Sequence, residues 1–194
     1  MRRKQKSNAP TLTVDRFAQI SEHFELEPGD RIRLLHESFL STDAQKWLHQ
    51  WVTGGGVKDG RFNQRNSDVE QELEEKGLNL NSPDIIYRGV ETYSDKDEAF
   101  WKDALGVHSL RDIDDRRTYE LNIASLSSWT TDIEVAKSFT GLIGVLLSAI
   151  VKPEQTVFYA NMLPFYFAGF EESEVILKPG TYKCKAKLIQ QPTF

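Results

Sequence analysis

The sequence has few of the residues that build covalent or metal-based scaffolds. Among its 194 residues are one cysteine, Cys184, and four histidines. A single cysteine excludes an internal disulfide, and the scattered histidines give no zinc-ligand spacing. We therefore expect a protein of a reducing compartment that uses no metal.

Long hydrophobic runs and excess positive charge are also missing. The longest apolar run, GLIGVLLSAIV at 141–151, falls far short of the roughly 20 residues that a membrane helix needs. The formal net charge is -5, which gives no general attraction to nucleic acid or anionic lipid. We expect a soluble protein that neither enters a membrane nor binds nucleic acid directly.

The first residues, MRRKQKSNAPTLTV, are basic but are followed by no apolar stretch. This pattern differs from that of a secretory signal and predicts a disordered basic tail over residues 1–14. The chain contains no Gly-x-Gly-x-x-Gly motif, so a dinucleotide would not be held in a Rossmann fold.

A composition of 39% hydrophobic and 27% charged residues suits one compact unit with a sizeable core. Hydrophobic spacing of three and four predicts helices first, in an N-terminal region over 15–82. The second of these helices has a candidate capping box at Thr42 and Gln45, and Gly77 is a candidate C-cap for the third. The predicted helices are 31–40, 44–51, 67–76 and, further on, 95–105.

From residue 83 onward the pattern changes to short runs with the alternation of β-strands. The last run alternates apolar residues with Lys183, Lys185 and Lys187, which is typical of an antiparallel strand with one solvated face. We therefore predict an α+β protein with a mostly antiparallel core over 83–194. The predicted strands are 85–90, 119–124, 144–151, 157–163, 175–177 and 182–188.

The first motif is IIYRG at 85–89. Arg88 stands in an otherwise apolar strand and cannot lose its charge, so it needs an anion. A phosphate matches its fork of donors, and Gly89 would permit close approach to the backbone. The alternative is an internal salt bridge with a carboxylate.

The second motif is SLSSWTTDIEVAKSF at 125–139, a strand that runs through hydroxyl residues into a helix. Thr131 and Glu134 form a candidate capping box, and Phe139 is expected to face inward. Ser128 and Thr130 lie on the strand side, where a hydroxyl can orient a neighbouring glutamate. The alternative is that all the hydroxyls only cap the helix.

The third motif is EESEVILKPGTY at 171–182. If the strand is extended through the carboxylates, Glu172 and Glu174 share one face and lie several ångströms apart. Such a pair must repel, share a proton or meet a cation. The alternative is a solvated strand end with protective charges.

Together these motifs resemble the arginine-serine-glutamate class of mono-ADP-ribosyltransferases. That family has Tyr-Arg-Gly on a strand, then Ser-Thr-Ser before a helix with Ala-x-x-Phe, then Glu-x-Glu before a Pro-x-Gly turn. Arg88 matches the arginine, and Ser128, Trp129 and Thr130 align with Ser-Thr-Ser, two of them departing from it. The resemblance covers 85–182, and Ser127 remains an alternative register for the serine.

The resemblance implies a fold of two packed, mainly antiparallel sheets with NAD in the cleft between them. It implies transfer of ADP-ribose from NAD to an arginine side chain, with Glu174 catalytic and Ser128 orienting it. Arg88 would bind the pyrophosphate, assisted by Tyr87, Gly89 and Thr130. Glu172 would dock the acceptor guanidinium. NAD is then a substrate, and no metal takes part.

Aromatic residues precede the third motif in LPFYFAGFE at 163–171. Tyr166 and Phe167 are candidates for contact with the acceptor protein, against the alternative of ordinary core packing. The small size, the N-terminal helices and the Ser-Ser-Trp variant resemble the alteration and modification enzymes of tailed bacteriophages. That likeness implies action in the host cytosol on transcription or translation proteins, with possible delivery in the virion.

Three other interpretations stay open. Water as acceptor would make the protein an NAD glycohydrolase, and a bacterial origin would make it a secreted or injected ADP-ribosylating toxin. A non-catalytic interaction module that keeps the fold belongs to a different class, and it would bind no NAD.

Overall fold

The computed structural model describes residues 39–53, 67–163 and 173–190. The predicted α+β class is confirmed. Helices α1 and α2 come first, and β-strands with two further helices follow. The elements are α1 (Thr42–Thr53), α2 (Ser67–Glu75), β1 (Asp84–Glu91), α3 (Asp95–Leu105), β2 (Tyr119–Ile123), β3 (Ser127–Thr130), α4 (Ile133–Ser138), β4 (Ile143–Val151), β5 (Thr156–Tyr159), β6 (Glu174–Leu177) and β7 (Gly180–Gln190).

The strands form one seven-stranded sheet in the order β2-β7-β4-β1-β3-β6-β5, and every neighbouring pair is antiparallel. Hydrogen bonding is continuous across the described strands, so two separate packed sheets are not shown. The strand pairing is short between β1 and β3. β1 and β3 are joined only by the residue pair Tyr87 and Thr130, whereas β1 pairs with β4 along its whole length.

Two buried clusters stabilise this arrangement. The first lies against β1, β4 and β7 and also takes in Trp129, Val175 and Leu177 from the other half of the sheet. Its lone thiol, Cys184, is fully buried, and burial raises the pKa of Cys184 to about 11, which keeps it protonated and unreactive at neutral pH.

The second cluster joins the N-terminal helices to β5 and β6. It contains Trp47 and Leu48 of α1, Leu73 of α2, and Phe158 and Ile176 of the sheet. The two helices thus bury their apolar sides against the part of the sheet that β5 and β6 form.

Helix ends agree only partly with the sequence patterns. Gly77 adopts φ 68°, as its predicted role after α2 requires, and α3 begins behind Ser94, whose side chain accepts from the Asp97 backbone N–H. The predicted capping box at Thr42 is wrong. Ser41 caps α1 by accepting from Ala44 N at 3.1 Å, because a hydroxyl one residue earlier is the one that reaches the free N–H.

Several predictions fall on other parts of the chain. The basic tail 1–14 and the first predicted helix up to residue 38 lie outside the described residues. Of the helices described, none has the length and apolar character needed to cross a bilayer.

Candidate active site

A pocket of about 160 Å³ opens where β1, β3, β6 and α4 meet. The chain brings six predicted site residues to its wall from three separate motifs. They are Tyr87, Arg88 and Gly89 of β1, Ser128 and Thr130 of β3, and Glu174 of β6; Trp129, Val135, Ala136 and Phe139 complete the lining. Glu172, Tyr166 and Phe167 lie outside the described residues.

Arg88 projects from the same strand face as the fully buried Ile86 and reaches the pocket wall from the core. Its Nη1 donates a hydrogen bond to Ser127 Oγ. Burial lowers the pKa of the guanidinium, which nevertheless stays charged at neutral pH. Within the described residues no carboxylate forms a salt bridge with Arg88. Most of its five N–H donors therefore remain for an anionic ligand.

Ser127 and Ser128 occupy opposite faces of β3. Ser127 is buried and accepts from both Arg88 and Trp129, whose Nε1 lies 3.2 Å from Ser127 Oγ. Ser128 is exposed and lines the pocket. Since side chains alternate along a strand, Ser127 supports the arginine, whereas Ser128 lies on the face of Thr130.

Glu174 is the first residue of β6, and its direct partner across the strand pair is Thr130. Ser128 is therefore its diagonal neighbour on the same face, at a typical separation of about 7–8 Å. In the described part of the chain, Ser128 Oγ makes no hydrogen bond to Glu174. Thr130 Oγ1 also accepts from Asp132 N at 3.0 Å, which ties the turn before α4 to this strand.

The backbone bends immediately before Glu174. Ser173 has φ 50°, a left-handed conformation that costs a non-glycine residue about 1–2 kcal/mol. Its backbone carbonyl accepts from Thr131 N at 3.2 Å, and its hydroxyl accepts from Asn161 Nδ2 at 3.3 Å. The sequence places Glu172 and Glu174 on one face only if Ser173 is extended, and Ser173 is not extended.

Helix α4 forms the pocket wall beside β1. Two predictions about this helix are wrong. Its N-cap is Asp132, which accepts from the backbone N–H groups of Glu134 and Val135, so the capping box at Thr131 is wrong. Asp132 lies one residue closer to the free N–H groups than Thr131, and its carboxylate accepts from two of them. Phe139 is half exposed at the pocket and does not face inward, because it follows the last turn of α4.

Gly89 permits the close approach to its backbone that the sequence predicts, and the group that approaches is helix α4. A Cβ added at this position would fall on the backbone carbonyl oxygen of Ala136. The absence of a side chain thus allows α4 to pack directly on β1. Gly89 also lines the pocket, so the helix contact and the pocket shape depend on the same residue.

Sequence reasoning missed one polar contact to the site. Trp51, near the end of α1, donates from Nε1 to Glu174 Oε1 at 2.7 Å. No local pattern announces this pair, because the two residues come from opposite ends of the chain.

The pocket lining thus combines the N–H donors of Arg88, which suit an anion, with the carboxylate of Glu174. The part of the chain that the structure describes contains no group of three or more histidine, cysteine or acidic side chains placed to hold a metal. Searches against family models, curated proteins and solved structures find no match to this chain.

Proposed function

We propose that this protein is a mono-ADP-ribosyltransferase that cleaves NAD at the nicotinamide-ribose bond and transfers ADP-ribose to arginine side chains. The observation that carries the proposal is the meeting of Arg88, Ser128 and Glu174 in one pocket. They come from three motifs that resemble the family in order and type. A chance likeness of short motifs has no reason to bring the three residues to the wall of one pocket.

The strand pairing supports a second proposal, which concerns the fold. The single residue pair between β1 and β3 divides the sheet into β2-β7-β4-β1 and β3-β6-β5, and side chains from both halves share one buried cluster. We propose that these halves correspond to the two packed sheets of the ADP-ribosyltransferase core. The pocket lies where β1 and β3 meet, and in the family the cleft between the two sheets holds NAD.

The proposed reaction breaks the bond between ribose C1′ and the nicotinamide nitrogen. Nicotinamide leaves with the bonding electrons as a neutral molecule, and positive charge develops on the ribose as in glycoside cleavage. Arg88 binds the pyrophosphate and fixes the ribose near Glu174. The carboxylate of Glu174 then stabilises the developing cation.

In the second half of the reaction, a guanidinium nitrogen of the acceptor forms a bond to C1′ and loses one proton. Glu172 is proposed to dock that guanidinium by a bidentate pair and to favour loss of the proton. Ser128 orients Glu174, and Tyr166 and Phe167 contact the acceptor protein. The acceptors are proposed to be host transcription or translation proteins, met in the host cytosol by a bacteriophage enzyme.

The test incubates the protein and its Glu174→Ala variant with NAD labelled in the adenylate and with a bacterial lysate. Label on protein bands, released by neutral hydroxylamine and absent with Glu174→Ala, supports transfer to arginine. Nicotinamide release without protein labelling, even with agmatine as a small guanidinium acceptor, indicates a glycohydrolase. No NAD binding in calorimetry by the folded protein contradicts the proposal and favours a non-catalytic interaction module.

A further inference from the structure

We propose that Trp51 is a positioning residue for Glu174, so that the N-terminal helix α1 is part of the catalytic apparatus. This inference rests on the proposed function. The contact that carries it is the hydrogen bond from Trp51 Nε1 to Glu174 Oε1, 2.7 Å long. An indole N–H is a donor only, so the partner oxygen must accept, and a carboxylate is a strong acceptor.

The packing of α1 on the sheet explains why this indole reaches the carboxylate. Ile176 of β6 is buried together with Trp47 of α1. Glu174 lies two residues before Ile176 and therefore on the same strand face, about 6–7 Å away along the strand. Trp51 follows Trp47 by about one helical turn, a rise of about 6 Å. The spacing of Trp47 and Trp51 along α1 is thus similar to the spacing of Ile176 and Glu174 along β6. This match allows Trp51 to lie next to Glu174.

The orientation of the indole is itself fixed. The rings of Trp47 and Trp51 stack with centroids 5.6 Å apart and an interplanar angle of 21°. Trp47 is buried in the second cluster, which gives Trp51 a rigid support. A donor held in place before the substrate binds orients its acceptor without reorganisation during the reaction.

The proposed effect is specific. A carboxylate has two oxygens and about four lone-pair positions, so one N–H on Oε1 restrains the orientation of the group and uses only a part of its acceptor capacity. An interaction of this kind acts on the transition state, where charge develops next to Glu174. Its loss should lower kcat and leave KM for NAD nearly unchanged.

The sharpest test changes one atom. Incorporation of 3-benzothienylalanine at position 51 replaces the indole N–H by sulfur and keeps the bicyclic shape, and Trp51→Phe serves as a second variant. We expect kcat for nicotinamide release to fall about ten- to hundredfold, the range of a hydrogen bond to a charged group. The same replacement at Trp101, in α3 and next to Phe100, is the matched control and should leave kcat unchanged.

A second readout needs no turnover. The chain has four tryptophans, so nitrogen-15 spectra of the indole N–H groups are simple, and the Trp51→Phe spectrum identifies the Trp51 peak. In Glu174→Ala we expect this peak to move upfield as its acceptor is lost. A peak that does not move shows that the contact is absent in solution and overturns the proposal.

The outcomes separate this inference from the proposed function. If the unmodified protein releases nicotinamide and the position-51 variants do so equally fast, Trp51 has no positioning role while the proposed function stands. Faster release by the variants would make Trp51 an obstruction and also overturns the inference. If the unmodified protein cleaves no NAD although the Trp51 peak responds to Glu174→Ala, the contact is real and the proposed function has failed.

Discussion

Thr130 and Glu174 are direct partners across the antiparallel pair β3–β6, and Ser128 is the diagonal neighbour on the same face. Thr130 and Ser128 nevertheless have different surroundings. Thr130 is buried and accepts from Asp132 N, whereas Ser128 is exposed in the pocket wall. We therefore expect Thr130 to contribute to stability and Ser128 to contribute to the proposed activity.

We expect Ser128→Ala to lower nicotinamide release without changing thermal stability, because its hydroxyl is exposed in the pocket wall and its proposed role concerns only the bound NAD. Thr130→Val should instead lower the free energy of unfolding by about 1 kcal/mol, since the Asp132 N–H loses its acceptor. Urea unfolding and a nicotinamide assay on both variants check this. Equal stability losses in the two variants would contradict the assignment.

Arg88 is expected to bind NAD through paired N–H donors. Arg88→Lys keeps one positive charge but loses the planar fork, so the Kd for NAD should rise about tenfold, corresponding to about 1.4 kcal/mol. Isothermal calorimetry measures this. The matched control is Arg111→Lys, an exposed residue in the turn Leu110–Asp112. An unchanged Kd in Arg88→Lys would show that the guanidinium does not bind the pyrophosphate.

Gly89 is expected to tolerate no side chain. Because a Cβ would collide with the Ala136 carbonyl, Gly89→Ala must displace α4 from β1, and we expect a loss of about 1–3 kcal/mol in unfolding free energy together with weaker NAD binding. Gly180→Ala is the control, since its Cβ would meet only the Tyr182 ring at 3.6 Å. If both alanine variants melt at the same temperature, the close contact between α4 and β1 is not present.

Ser173 provides a test of the backbone before Glu174. At φ 50° a glycine is less strained than any other residue, so Ser173→Gly should be more stable than Ser173→Ala by about 1 kcal/mol. Both variants lose the hydroxyl that accepts from Asn161, so the comparison isolates the backbone term. Thermal unfolding measures the difference, and a more stable alanine variant would show that Ser173 is extended.

The strands were predictable because their signals are local. Alternation over 119–124 and 182–188 and the apolar run at 144–151 gave β2, β7 and β4 to within a few residues. Arrangement was less accessible. The sequence carries no signal that one residue pair joins β1 to β3. The hydrogen bonding between the two parts of the sheet was therefore not predicted.

The candidate site was predictable where residue chemistry is unusual for its surroundings. Arg88 in an apolar strand and Glu174 before one are such cases, and both line the pocket. Trp51 was not predictable, since a tryptophan on an apolar helix face has the ordinary appearance of a core residue. The left-handed Ser173 was missed for a similar reason, because serine carries no sequence signal for positive φ.

The most direct test of the account is nicotinamide release from NAD by the purified full chain and by Glu174→Gln, which keeps size and loses charge. Glu120→Gln is the control, an exposed carboxylate on β2 at the far edge of the sheet. The account predicts release by the unchanged protein and by Glu120→Gln, and a loss of about a hundredfold or more in Glu174→Gln. Equal release by all three, or none by the folded, unchanged protein, would contradict it.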